Sequence, residues 1–157
     1  MGWDAIEPWG IYVALSIHDE SVPNYHWSFY IPFDEDRGQL YEAVDNATHK
    51  WVIDTRLCMT LRFSTRLTAM MKVGQISNAM SDTFNEIVMN PSLKAPRNGQ
   101  EFSCRVWILN ALGSLDAAGL VTCKDVYAFE QEAVDIAKAN KRSRGEDITV
   151  AESSYSG

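Results

Sequence analysis

The chain has 157 residues, 46% of them hydrophobic, and its 14 basic against 21 acidic residues leave a net charge of −7. That length makes one domain, long enough to bury roughly two thirds of its unfolded surface, and five tryptophans favour a packed core over disorder. An acidic surface repels phosphate backbones, and no Lys/Arg-rich stretch precedes residue 141, which argues against nucleic acid as a partner.

The amino terminus, Met1 to Pro8, lacks a basic start and a long apolar run, so it does not read as a secretory signal. No window approaches the ~18 uninterrupted apolar residues of a membrane span. Cys58, Cys104 and Cys123 are an odd count without CxxC spacing. They predict reduced thiols in a cytoplasmic protein, with no zinc site and no cofactor.

The first half alternates as strands do. Ile11–His18 opens the series, and Ser21-Val22-Pro23-Asn24 reads as a break. In His26–Pro32, Trp27, Phe29 and Ile31 point one way while His26, Ser28 and Tyr30 point the other. The run Asp34 to Gly38 makes a turn, and Gln39–Asp45 is the partner strand. Lys50–Thr55, Leu57–Phe63 and Leu67–Val73 supply further strands, joined too tightly for helical crossovers and therefore antiparallel.

The second half has helical spacing. Ser77 or Asn78 caps a first helix with Met80, Phe84, Ile87 and Val88 on its apolar face, and Pro91–Gln100 follows as a loop. A second helix, about Ser103 to Ala118, carries Cys104, Trp107, Ile108, Ala111, Leu112 and Leu115, with Gly119 at its end. Thr122 with Asp125 caps a third, Lys124–Asn140. The expectation is an α+β domain over residues 1–140, three helices on an antiparallel sheet of five or six strands, with 141–157 a flexible tail.

Two residues carry chemistry in this arrangement. Cys104 lies in the first turn of a helix, where free N–H groups and the helix dipole favour a thiolate and would hold an oxyanion. His26 opens a strand and is the candidate base. If Pro32 and Gln39 flank the turn, facing residues sum to 71, and Asp45 lies opposite His26 as the group that orients the ring. Glu42 and His49 are the alternatives, and Gln100 is a candidate oxyanion donor. Periodicity alone also accommodates Cys104 as a core residue beside Trp107 and Ile108.

A strand-borne His26 before an aromatic run, then Cys104-Arg105-Val106-Trp107 opening a helix, resembles the circularly permuted papain-like fold. Its members include the NlpC-type peptidase relatives and the lecithin:retinol acyltransferase-like proteins. The chain also resembles small fungal proteins with a His-Trp strand and a Cys-Arg-x-Trp helix. The resemblance implies thiol-based acyl chemistry on a small-molecule or peptide-like amide, ester or thioester, by a hydrolase, acyltransferase or cyclase. Retinol acyltransferase-like proteins have Asn before the Cys, where this chain has Ser103, which argues against lipid acyl transfer. The alternative is a non-catalytic binding module with the same fold.

Other residues admit weaker readings. Met59, Met70, Met71, Met80 and Met89 suit an adaptable apolar pocket or plain core filling. Trp3 and Trp9, beside Pro8, suit an N-terminal segment stapled to the domain or a ligand clamp. Arg56, Arg62 and Arg66 form a spaced basic set that suits a solvated face or could meet a substrate carboxylate. His18, Asp19 and Glu20 are adjacent, but neighbours on a strand diverge and no second cluster completes a metal site.

Overall fold

A computed structural model describes residues 6–19, 22–45, 51–59, 61, 64, 66–89, 104–139 and 149–152. Strands β1 (Gly10–Asp19), β2 (Val22–Pro32), β3 (Gly38–Asp45), β4 (Trp51–Cys58) and β5 (Leu67–Gln75) come first. Helices α1 (Ser81–Met89), α2 (Cys104–Ala117) and α3 (Val126–Ala139) follow, and β6 (Thr149–Glu152) closes the series. The sheet order is β4-β3-β2-β1-β5-β6. The protein is an α+β fold in which the first five strands pair antiparallel.

Three details differ from the sequence expectation. Strand β2 runs through the expected break, because the ladder absorbs Pro23 in a bulge where Asp19 faces both Pro23 and Asn24. Leu57–Phe63 does not begin a strand of its own, since β4 already extends through Cys58. Within the stretch read as a tail, Thr149–Glu152 pairs parallel with Ala69–Lys72. That pairing covers the outer edge of β5 with a β-suited Thr-Val-Ala run.

Strand alternation sorts the side chains into two layers. Val13, Leu15, Trp27, Phe29 and Met71 face the helices and pack with Phe84, Trp107, Leu112 and Phe129 in the main core. At its centre the Phe29 ring meets Phe84 and Trp107 edge-on, with centroids 5.8 and 5.4 Å away. The Trp107 indole donates to the Val88 carbonyl at 3.1 Å, which satisfies a buried N–H and ties α2 to the end of α1. Tyr12, Ala14, Tyr30, Leu40, Cys58, Leu67 and Met70 form a smaller cluster on the other face, with Ile6 and Leu61 packed against it.

Helix ends obey local chemistry. Asp125 caps α3, accepting the Tyr127 and Ala128 N–H groups at 3.1 Å each. Ser77 makes no side-chain cap, and a single 3₁₀ turn over Asn78–Met80 leads into α1 instead. Gly119, at φ 78°, ends α2 in a left-handed residue, with Leu120 N–H bonded to Leu115 and Gly119 N–H to Asp116. The start of α2 is tied to α3 by an ion pair between Arg105 and Glu130.

Candidate active site

The β2–β3 hairpin sets the site. Its turn is closed by Asp34, whose carboxylate accepts the Asp36 and Arg37 N–H groups at 2.9 and 2.8 Å and the Arg37 Nε at 2.8 Å. Gly38 is thereby drawn into the ladder opposite Pro32. A Cβ at residue 38 would lie 2.3 Å from Cζ of Tyr30, so the buried tyrosine ring crosses the strand where only glycine fits. Facing residues consequently sum to 70, one less than the sequence suggested, and Ser28 pairs with Glu42.

Where that ladder stops, the thiol enters. Pairing between β2 and β3 ends at Ser28 and Glu42, while β3 stays paired with β4 as far as Asp45 and Trp51. The next β2 amide on that side, Trp27 N–H, is donated to Cys104 Sγ at 3.5 Å. Cys104 is the first residue of α2, so the helix start sits at the mouth of the gap between the two strands.

His26 completes the contact. Its Nε2 lies 3.1 Å from Oε1 of Glu42, and the second Glu42 oxygen accepts from Arg56 Nη1 at 3.2 Å. The same imidazole lies near enough to the Cys104 thiol for each group to shift the titration of the other. These four side chains form one relay: thiol, imidazole, carboxylate, guanidinium.

The relay is polarised. The bond to Cys104, then the bond to Glu42, raise His26 to about 9, outweighing the burial that favours the neutral ring. Burial is the largest influence on Cys104 and pushes the thiol up. It is overcome by the His26 hydrogen bond, the Trp27 N–H, the imidazolium charge and the Arg105 N–H, which together hold the thiol below its ordinary value. The His26 hydrogen bond holds Glu42 low against its own burial, with help from Arg56. Cys123 is the opposite case: burial, with Asp116 and Asp125 nearby, pushes it up to about 11.

The structure therefore brings together Cys104 and His26, the two principal candidates, with Glu42 beside them. Asp45 ends β3 opposite Trp51, and its side chain lies outside the described residues, as do His49, Gln100, Trp3, Arg62 and Glu20 and the side chains of His18 and Asp19. The signal for Glu42 was in the turn: a glycine after the Asp34–Arg37 loop is available to the ladder, and counting from Gly38 gives the observed register. The methionines share no pocket, since Met70 and Met71 are buried on opposite faces and Met59 is exposed.

A cavity of about 310 Å³ opens beside the relay on the sheet face away from the helices. His26, Glu42, Arg56 and Arg66 supply its charged wall, and Leu40 and Leu61 supply apolar surface. Cys104 does not line it, so His26 is the residue common to thiol and cavity. A second cavity, about 260 Å³, lies on the helix side under Trp9 and Phe33, whose rings pack 4.9 Å apart. Among the described residues no group of three or more His, Cys, Asp or Glu is placed to hold a metal ion, and no helix is long and apolar enough to cross a membrane.

Residues 11–122, more than two thirds of the chain, match the model of a family described as "Family of unknown function (DUF6540)". No curated protein and no solved structure matches the chain.

Proposed function

The chain belongs to the DUF6540 family, and from its relay we propose a cysteine-dependent acyl enzyme with Cys104 as nucleophile, His26 as acid and base, and Glu42 orienting the ring. The observation that carries this reading is the imidazole held between the Cys104 thiol and the Glu42 carboxylate. Its supports are the lowered thiol, the raised imidazole and the helix-start position of the sulfur. A strand-borne His preceding a helix-borne Cys is also the order of permuted papain-like proteins, and we read the fold as theirs.

The chemistry starts from the thiolate–imidazolium pair. The sulfur attacks the acyl carbon, a C–S bond forms, and the carbonyl electrons move to oxygen. Amide N–H groups in the first turn of α2 would meet that oxyanion. When the tetrahedral species collapses, the bond to the leaving group breaks and His26 gives the leaving group its proton. Neutral His26 then takes a proton from water, or from an acceptor amine or alcohol, as it attacks the thioester. Departure of the sulfur restores thiolate and imidazolium. With Nε2 committed to Glu42, Nδ1 is left for the thiol and the reacting groups.

Water as acceptor gives a hydrolase, a second substrate a transferase, and an internal nucleophile a cyclase. The free thiols of Cys58, Cys104 and Cys123 suit a reducing, cytoplasmic setting. A second reading, a non-catalytic module holding a small ligand, draws on the cavity, which His26 and Glu42 line without Cys104.

Iodoacetamide labelling of Cys104 against pH tests the first reading. The native protein should react well below pH 8, and His26→Ala should slow labelling at pH 6.5 by about tenfold or more, as the thiolate fraction falls. A Cys104 that labels only in denaturant would sink it. An activated thiol that forms no acyl-enzyme with activated esters, followed by intact mass, would leave the binding module.

A further inference from the structure

The two borders of the sheet differ. One is closed by the short β6, while the other is the eight-residue β4, which among the described residues is paired with β3 alone. Its ladder with β3 runs from Trp51 to Cys58 without a bulge, so its outer side is a regular row of main-chain N–H and C=O groups. Neither proline nor lysine interrupts the strand, and Val52 and Leu57 are exposed along it. Such a border is a template for another strand.

The residues along the border select the strand it fits. Val52-Ile53-Asp54-Thr55-Arg56-Leu57-Cys58 has the same chemical order from either end, except that the charge changes sign across Thr55. Two identical strands that pair antiparallel are related by a two-fold axis normal to the sheet. Facing side chains share a face, so that axis passes through a residue. At Thr55 it sets Asp54 against the partner's Arg56 and Arg56 against the partner's Asp54, with Ile53 against the partner's Leu57. At Asp54 it would oppose two carboxylates, and at Arg56 two guanidinium groups, and like charges directly opposite repel. Charge alone therefore chooses Thr55.

We propose that β4 is a docking edge for β4 of a second copy of this chain, paired antiparallel about Thr55, so that two sheets become one with the helices of both copies on the same side. The charges within one copy favour this partner. Asp54 stands opposite Glu42 in the ladder, so two carboxylates share one face of the sheet. A cation arriving from the open side of Asp54 relieves that opposition, and the partner's Arg56 is such a cation. Arg56 is exposed and meets Glu42 through Nη1 at 3.2 Å. A guanidinium has further N–H groups, so it can take a second carboxylate while keeping the first.

Sedimentation velocity on the full chain is the test. The native protein should pass from monomer to dimer below about 100 μM. Asp54→Arg and Arg56→Asp should each weaken the dimer by at least about tenfold, because either reversal sets like charges together at both symmetry-related contacts. An equimolar mixture of the two variants makes every facing pair opposite again, and it should dimerise close to the native concentration. The double variant Asp54→Arg/Arg56→Asp restores both contacts in a single chain and should do the same. A native chain that stays monomeric at about 100 μM overturns the inference and leaves the edge to an extended peptide of another protein. A dimer that neither reversal weakens also overturns it, as does a loss that neither the mixture nor the double variant recovers.

Discussion

The main-chain N–H of Trp27 is donated to the sulfur of Cys104 at 3.5 Å, across 77 residues of sequence. The peptide that joins His26 to Trp27 therefore holds the thiol through its N–H, and the His26 side chain acts on the same sulfur. Separation of β2 from β3 beyond Ser28 creates this arrangement, because a paired Trp27 amide would face a β3 carbonyl.

Glu42→Gln keeps the shape of the relay and removes its negative charge. His26 should then titrate below its present value of about 9, yet remain above the ordinary imidazole value of 6.5, since the Cys104 bond is the larger cause. Cys104→Ala should lower it further than Glu42→Gln does. Imidazole proton shifts against pH measure both, and the reverse ranking contradicts the assignment. Iodoacetamide labelling of Cys104 should slow by roughly tenfold in Glu42→Gln.

Only one of the three thiols should react in the folded state. At pH 6.5, limiting iodoacetamide should leave one label, on Cys104, because Cys123 is buried and held up at about 11 and Cys58 is buried beneath the outer sheet face. Peptide mapping reads the site directly. Early labelling of Cys123 or Cys58 would contradict this ordering.

Stability should respond to pH in a way set by opposed slopes. The raised His26 contributes fully below about 6.5 and loses that contribution as pH rises through about 9. The lowered Cys104 contributes fully above its ordinary value near 9 and loses that as pH falls. Between these limits the two slopes oppose, so the rise from Cys104 offsets part of the decline from His26 in the urea midpoint of the native protein between pH 6.5 and 9. In Cys104→Ala only Glu42 is left to hold the imidazole up, and the midpoint should finish its decline at a lower pH than in the native protein. Glu42, held low, adds an acid limb: its contribution is present above about 4.5 and is lost below. A Cys104→Ala curve that declines as far toward pH 9 as the native one would contradict the pairing.

Gly38→Ala should destabilise the protein by about 1–3 kcal/mol, because the new methyl collides with a fully buried Tyr30 ring. Thermal unfolding should show a fall of about 2–4 °C for each kcal/mol in a chain of this length. An unchanged midpoint would mean that the tyrosine ring can yield, and would remove the steric reason offered for the hairpin register.

Local patterning was enough to read much of this molecule. Alternation in Ile11–His18 and His26–Pro32 and helical spacing from Cys104 to Leu115 specify elements because burial of one face depends only on period 2 or 3.6. Cys104 and His26 were legible for the same reason, each standing at the start of an element whose apolar face is plain. What the sequence could not decide was register and edge pairing. A strand slipped by one residue keeps its alternation while exchanging its faces. The choice between Asp45 and Glu42 as the residue to set beside His26 therefore turned on whether Gly38 joins the ladder, which depends on the Tyr30 ring lying across it. The pairing of Thr149–Glu152 with β5 is likewise a contact between residues 80 positions apart. Composition and periodicity determine which residues seek the core; only the folded chain decides which polar residue stands next to which, because those contacts follow from backbone geometry summed over distant segments.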